Sequence, residues 1–347
     1  MANKVKKDKL RIDDKNSNVF LSIIKNNIFF ILAIILILVI NFVKIPYEVE
    51  MPGGVINLSD RIKVDGKTLD VSGSFNMAYV EVAQGSILYY LLAHIIPDWE
   101  IVKTSDIVYS ENESIEDANK RDLIMLEQSK DEATLAALEA SDVPYEIVKT
   151  LNNVIYIDEK ADTNLEIGDN IVEVDGERVN SIDEVIAIIK QKQVKDKVNF
   201  KVLRNNKEVD ATAVLYEEDG PKVGIVTVNT YDIKSEKNIT ITSSASESGP
   251  SGGMMMALMI YDGLTGKDLT KGRKIVGTGT IAKNGDVGDI GGVKFKLMGA
   301  AKAKADVFLV PEGNYEEAMK VAKEKKYKIN IVKVTKLQDA IDYLEGE

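Results

Sequence analysis

The sequence predicts an α+β fold in which an N-terminal apolar helix precedes two mixed α/β regions. Three observations carry this prediction. Thirteen residues from Ile28 to Ile40 run without a polar side chain. Between Thr150 and Glu218, short β-branched runs and one helical stretch follow in the order strand, turn, strand, helix, strand. From Val223 onward, strand and helix patterns alternate to the end of the chain.

The apolar run resumes after Asn41 with Phe42 and Val43 and is bracketed by Lys25 and Lys44. Counted over 26–43 it would rise about 27 Å, close to the thickness of a bilayer core of about 30 Å. It reads as an uncleaved transmembrane anchor, because no small-x-small cleavage site follows it. Lys4, Lys6, Lys7, Lys9, Arg11, Lys15 and Lys25 crowd the residues before it, so the positive-inside rule keeps the tail over 1–25 in the cytoplasm. Everything after Lys44 then faces outward from the membrane.

After the anchor, Met77 to Val82 alternates as a strand does. From Ser114 to Ser141 the pattern becomes charged and helical, with Leu123, Leu126, Leu135 and Leu138 as apolar points. This is a helical arm or a solvated surface helix, and it closes an extracytoplasmic α/β region over 46–149. Asp175-Gly176 reads as a hairpin turn, Ile182 to Lys190 as an amphipathic helix, and Glu217-Glu-Asp-Gly-Pro221 as a linker. Helices are expected at Ser251–Tyr261, Val293–Ala303, Tyr315–Lys325 and Leu337–Leu344, with strands at Val223–Val228, Ile239–Thr242, Lys274–Ile281, Val307–Val310 and Ile329–Val334 between them.

Composition excludes much chemistry. The 347 residues contain no Cys and a single His, His94, so thiol nucleophiles, disulfides and a two-histidine zinc site are impossible. His94 sits in Leu91-Leu-Ala-His-Ile-Ile96, a context that suits a packed histidine. The net charge of -11 argues against nucleic acid as a partner. Asp286 and Asp289 read as turn residues, and neither a metal nor another cofactor is expected. Met254, Met255, Met256 and Met259 read as core filling, and Lys320, Lys323, Lys325 and Lys326 as a solvated helix face.

Any hydrolase built from these residues needs a base other than histidine. Ser251 stands where the Ser/Gly-rich loop Ser243–Gly253 passes into an apolar helix. A serine there has two possible jobs, nucleophile or helix N-cap. Loop amides around Gly249, Pro250 and Ser251 are candidates for an oxyanion site. A second segment, Gly277-Thr-Gly-Thr-Ile281 followed by Gly285 to Ala301, places Lys294 and Lys296 at the start of a small-residue helix. A lysine becomes a general base when desolvation lowers its pKa, and spacing alone does not choose between these two.

Two resemblances sharpen the reading. The run Ala161 to Val179 with the helix after it resembles the bacterial form of a PDZ domain, over 150–218. Such a domain takes an extended peptide as an added strand. No clear Gly-rich carboxylate-binding loop stands at 149–154. Over 222–347, Pro250-Ser-Gly-Gly253 and the later Thr278-Gly and Gly291-Gly-Val-Lys-Phe-Lys296 elements resemble the proteolytic domain of Lon-type Ser-Lys proteases. Gly252 departs from the alanine usual in that family. The resemblance implies Ser251 as nucleophile, Lys296 as base and Thr278 as the residue orienting the lysine. No G-x-x-x-x-G-K-[ST] phosphate loop occurs in the sequence, so ATP-driven unfolding is not expected. In this order the segments resemble the membrane-anchored, PDZ-containing Lon-like proteases of Gram-positive bacteria. That group is implied to be ATP-independent serine endopeptidases cutting exposed or unstructured peptides, either pheromone-type precursors or small membrane-bound cell-division inhibitors. It also implies self-association. The rival expectation is a catalytically silent, membrane-tethered peptide-binding adaptor.

Overall fold

The computed structural model describes residues 25–107 and 113–346. The basic tail, apart from Lys25, lies outside the described residues. The chain divides into two compact units. One comprises the chain up to Glu50 with Val82–Thr104, and the other comprises Met51–Glu81 with Ser105–Glu347.

The first unit holds helix α1 (Ile28–Phe42), the start of strand β1 (Lys44–Asn57), the end of strand β2 (Ser74–Ser86) and helix α2 (Ile87–Ala93), which follows β2. Strand β3 (Glu100–Lys103) pairs antiparallel with β1 from Tyr47↔Lys103 to Glu50↔Glu100. The 15 residues of α1 are apolar on every side except for Asn41, and none is buried. They rise about 22 Å. No helix among the described residues is long and apolar enough to cross a membrane. The Ser86 hydroxyl caps α2 by accepting from the Tyr89 amide. No residue of α2 is buried either. His94 is not the packed histidine expected from its neighbours: it is exposed at the C-cap of α2, with Nδ1 2.8 Å from the Tyr90 carbonyl. Its apolar neighbours do not enclose it because they are not buried themselves.

In the second unit, helix α3 (Ile115–Ala140) precedes an antiparallel sheet. The sheet contains β4 (Tyr145–Ile157), β5 (Asn170–Val174), β6 (Lys197–Arg204), β7 (Lys207–Val214) and β8 (Ile225–Ser235) in the spatial order β8-β4-β5-β6-β7. Helix α4 (Ile182–Ile189) packs Val185 and Ile189 onto a core with Ile171, Val174, Phe200 and Leu215. The expected hairpin turn forms, with Val174 pairing Glu177.

The remaining elements are α5 (Gly253–Thr265), β9 (Lys274–Gly277), α6 (Val293–Lys302), β10 (Val307–Pro311), α7 (Glu312–Lys325), β11 (Asn330–Val334) and α8 (Leu337–Gly346). Strands β11, β10, β9 and β2 form a parallel array in that order. Strand alternation sorts their side chains to two faces. Ile275 and Leu309 join the core containing α5, α8 and part of α3, whereas Val276, Phe308 and Val310 join the core containing α6 and α7. Helices therefore cover both faces, as parallel strands require. Every residue of α5 from Gly253 to Asp262 is buried, the four methionines among them. Full burial of each such side chain contributes about 1.5–3 kcal/mol.

Helix α3 forms where expected, with the Ser114 hydroxyl accepting from the Asp117 amide at its N-terminus, but it is not a solvated ribbon. Leu126, Ala133 and Leu135 to Leu138 are buried, and so are Arg121, Ser129 and Glu132. Only Leu123 of the four expected apolar points is exposed. Its polar residues are buried with partners that satisfy them, Arg121 with nearby Glu113 and Asp122, and Ser129 and Glu132 with residues distant in sequence.

Candidate active site

Thr278 directly follows β9, and its amide extends the ladder to the Leu309 carbonyl at 3.1 Å. It therefore sits at the carboxyl end of the parallel strands, where sites in such sheets are built. The carbonyl of Ser251 is bound there twice, by the Thr278 hydroxyl at 3.1 Å and by the Gly279 amide at 2.8 Å. The Met254 amide returns a bond to the Gly279 carbonyl at 3.1 Å, tying the first turn of α5 to the same edge.

Helix α6 connects parallel strands β9 and β10, so it must start near the carboxyl end of β9. Lys296 lies in its first turn. Ser251, in the loop just before α5, and Lys296, in the first turn of α6, thus stand at the starts of helices on opposite faces. Lys296 is 4% exposed and is the only buried lysine among the described residues. Lys294 is half-buried with its Nζ 5.1 Å from the centre of the Phe295 ring. Burial thus separates the two lysines that spacing could not.

Ser251 is not the N-cap of the helix that follows it. The N-cap of α5 is Gly252, and no side chain caps the helix. Of the groups expected at an oxyanion site, Pro250 has no N–H, and the Gly249 amide is already donated to the Asp122 carbonyl at 3.0 Å. Among those three residues, the Ser251 amide is the donor that remains. Thr278, expected to orient the lysine, donates its proton to the Ser251 carbonyl and keeps its oxygen lone pairs as acceptors.

Helix α3 holds the other side of the loop. Asp122 and Ser129, seven residues apart, lie on one face. Asp122 binds Gly249 as above, and the Ser129 hydroxyl donates to the Pro250 carbonyl at 2.9 Å. Lys130 donates to the Ser243 hydroxyl at 2.9 Å. Asp131 accepts from the Tyr231 amide at 2.7 Å, and Glu132 accepts from the Lys283 amide. Burial raises the pKa of Asp131 to about 6 and also raises that of Glu132. Sequence reasoning missed this set of contacts, which join residues a hundred or more positions apart.

A second site lies in the other sheet. A groove of about 570 Å³ runs between α4 and the start of β8, lined by Ile182, Val185, Ile186, Ile189, Val223 and Val226 among others. Strand β8 ends the sheet order, so no strand covers its outer edge. The groove is closed by Glu217 to Pro221, which is not a linker: Tyr216-Glu217 pairs with Pro221-Lys222 as a short hairpin. Next to it Gly224 has φ +80°, and a Cβ there would lie 2.8 Å from the Tyr216 ring. Only glycine fits. Burial, with Asp158 and Glu218 nearby, pushes the Tyr216 hydroxyl up to about 12. A turn with two positive-φ glycines, Gly220 and Gly224, lines this groove from Gly220 to Ile225. Its composition could have revealed it, but its position after the last strand of this sheet's main run could not.

Among the described residues no group of acidic or histidine side chains could hold a metal ion. Asp286 accepts from Asn284 and Asp289 accepts from the Gly313 amide, both within loop contacts.

Comparison with known proteins finds two domains in the chain. Residues 227–345 match the Lon protease (S16) C-terminal proteolytic domain, and residues 128–215 match the PDZ domain. The chain is 28% identical over 160 residues to a Lon protease of Helicobacter pylori strain J99, covering 46% of this chain and 18% of that protein. It is 31% identical over 91 residues to a Lon protease of Aster yellows witches'-broom phytoplasma, covering 26% of this chain and 11% of that protein. The chain therefore spans less than a fifth of the length of these relatives. Among solved structures, the PDZ domain of an SdrC-like protein from Listeria monocytogenes is 30% identical, with a TM-score of 0.21, covering 22% of this chain and 86% of that one. The chain carries a PDZ domain and a Lon-type C-terminal proteolytic domain, the latter that of a serine peptidase.

Proposed function

We propose that this chain is a membrane-anchored, ATP-independent serine endopeptidase that cuts exposed or unstructured secreted or membrane peptides. The observation that carries the reading is the treatment of Ser251. Its carbonyl is fixed from two sides, while the adjoining helix is capped by Gly252 without any side chain. The serine is held in place and its hydroxyl is not used as a cap.

In this mechanism Ser251 attacks the scissile carbonyl, and neutral Lys296 takes the hydroxyl proton and returns one to the leaving amine. Thr278 accepts from the lysine and orients it. The Ser251 amide, at the positive end of α5, stabilises the oxyanion. The PDZ groove holds an extended part of the substrate as a strand added to β8, and amides of the Gly220–Ile225 turn receive its terminal carboxylate. This chain has no phosphate loop, so no unfolding step precedes cleavage. Self-association of the proteolytic domain belongs to the same proposal.

The test uses the full chain in detergent with fluorescein-labelled casein as the probe. Ser251→Ala and Lys296→Ala should each lower kcat by about 10³-fold or more. The wild-type rate should rise with pH as the lysine loses its proton. Turnover surviving either substitution would reject the dyad, as would a rate independent of pH from about 5 to 9.

The anchor is α1, flanked by Lys25 and Lys44 and shorter than the hydrocarbon core, with the tail before it in the cytoplasm. Support comes from α1 and α2, which are apolar yet have no buried residue, and from the stacked Tyr89 and Trp99 rings 5.9 Å apart. Trp99 is the single tryptophan. Its fluorescence in vesicles should be quenched by brominated lipid. A chain that fails to float with vesicles would reject the anchor.

A further inference from the structure

We infer that Ser129, on the helix that leads into the PDZ domain, is a positioning residue for the oxyanion donor of the proteolytic domain; this rests on Ser251 being the nucleophile. Ser129 is 3% exposed, and its hydroxyl reaches across to the Pro250 carbonyl at 2.9 Å, joining the Gly253 amide, which donates to the same oxygen at 3.2 Å. A buried helical serine commonly bonds back to its own helix, four residues earlier. This one bonds instead to the loop holding Ser251.

The acceptor explains why the contact matters. The Pro250 carbonyl and the Ser251 N–H belong to one planar trans peptide and point in opposite directions. Fixing the oxygen therefore fixes the direction of the N–H. That N–H is the donor left to the site, because Gly249 is bound to Asp122 and Pro250 has none. Ser129 does not touch the substrate. It aims the group that does.

The surroundings are built around this hydroxyl. Further along the same face stand Ala133, Ala136 and Ala137, all buried. Alanine is the better helix former, so serine at 129 adds a donor at a cost in helix propensity. Across from it, Gly253 opens α5 without a side chain. A Cβ there would lie 2.6 Å from the Ser129 Oγ and 2.7 Å from Ile281 Cγ2. Two positions distant in sequence thus control one hydrogen bond.

The experiment compares Ser129→Ala, Gly253→Ala and the double variant in the full chain, using labelled casein and a peptide boronic acid that mimics the tetrahedral adduct. Ser129→Ala should lower kcat about 10- to 100-fold with KM within about 2-fold, and should weaken boronate binding by the same factor as kcat/KM. Its melting temperature should stay within about 3 °C of wild type. Gly253→Ala should reproduce the loss by displacing the hydroxyl, and the double variant should be little worse than either single one. Wild-type kcat in Ser129→Ala, or lost activity with unchanged boronate affinity, overturns the inference. Ser251→Ala serves as the reference: if it is inactive while Ser129→Ala is fully active, only the role of Ser129 falls. If Ser251→Ala is active, the nucleophile assignment falls and takes Ser129 with it.

Discussion

The loop before α5 and the groove beside α4 are opposites in construction. Residues 249–254 are bound on nearly every side, by α3 at Gly249 and Pro250 and by the turn after β9 at Ser251 and Met254. The groove is left unfinished, with an uncovered strand edge and with Ile186 and Val226 42% and 49% exposed. The difference follows from what each must do. Acyl transfer gains from donors that need no reorganisation, whereas capture of an extended peptide gains from backbone groups still free to pair. A rigid site tolerates little change, and an open one tolerates substitution on its rim.

That contrast can be tested at three scales. The largest effect is expected at the bound loop and its partner lysine, where Ser251→Ala or Lys296→Ala should lower kcat by about 10³-fold or more; a loss below about 10-fold would mean that the loop is scaffold rather than site. The groove should respond more mildly. Ile186→Asp should raise KM for a peptide that engages the groove about 10-fold while kcat changes little, and amidating that peptide's C-terminus should weaken binding by a similar factor in calorimetry. Equal affinity for the free and amidated peptides would turn the Gly220–Ile225 turn into a site for internal segments.

The smallest effect concerns the struts of α3. Burial holds Asp131 near pKa 6, above its ordinary 3.8. The folded state then binds this proton more tightly than the unfolded state, so stability falls as pH rises between about 4 and 6. Asp131→Asn keeps an acceptor for the Tyr231 amide and removes the charge. It should raise the melting temperature by about 2–4 °C at pH 7.5 and by nothing below pH 4. A gain of the same size at both pH values would assign the effect to something other than ionisation.

Much of this was legible in advance, and the exceptions share a cause. The buried helix after Ser251, the Gly-rich turn after β9 and the strand–turn–helix order of the PDZ region all show in local periodicity, because each buries an apolar face in its own neighbourhood. Helix α3 was misread because Arg121, Ser129 and Glu132 are polar, and polarity signals solvent unless the partner is known, whether near, as Glu113 is for Arg121, or distant, as Pro250 is for Ser129. Glu217 to Pro221 read as a linker because its composition is that of a turn, while its role depends on α4, some thirty residues away. His94 was misjudged in the opposite direction, since apolar neighbours imply enclosure only when they are enclosed themselves. Lys294 and Lys296 could not be ranked by spacing, and burial ranks them.

One consequence comes from strand β8. Its eleven residues, Ile225–Ser235, pair along their whole length with β4 of the PDZ sheet, yet the match to the Lon domain begins inside it, at residue 227. The two modules therefore cannot be separated like beads on a string. Cutting before 225 would strip the peptide groove of a wall and leave the catalytic fragment with a long, sticky ribbon at its front end. Exchanging PDZ modules between such proteins would succeed only if this ribbon travelled with its sheet.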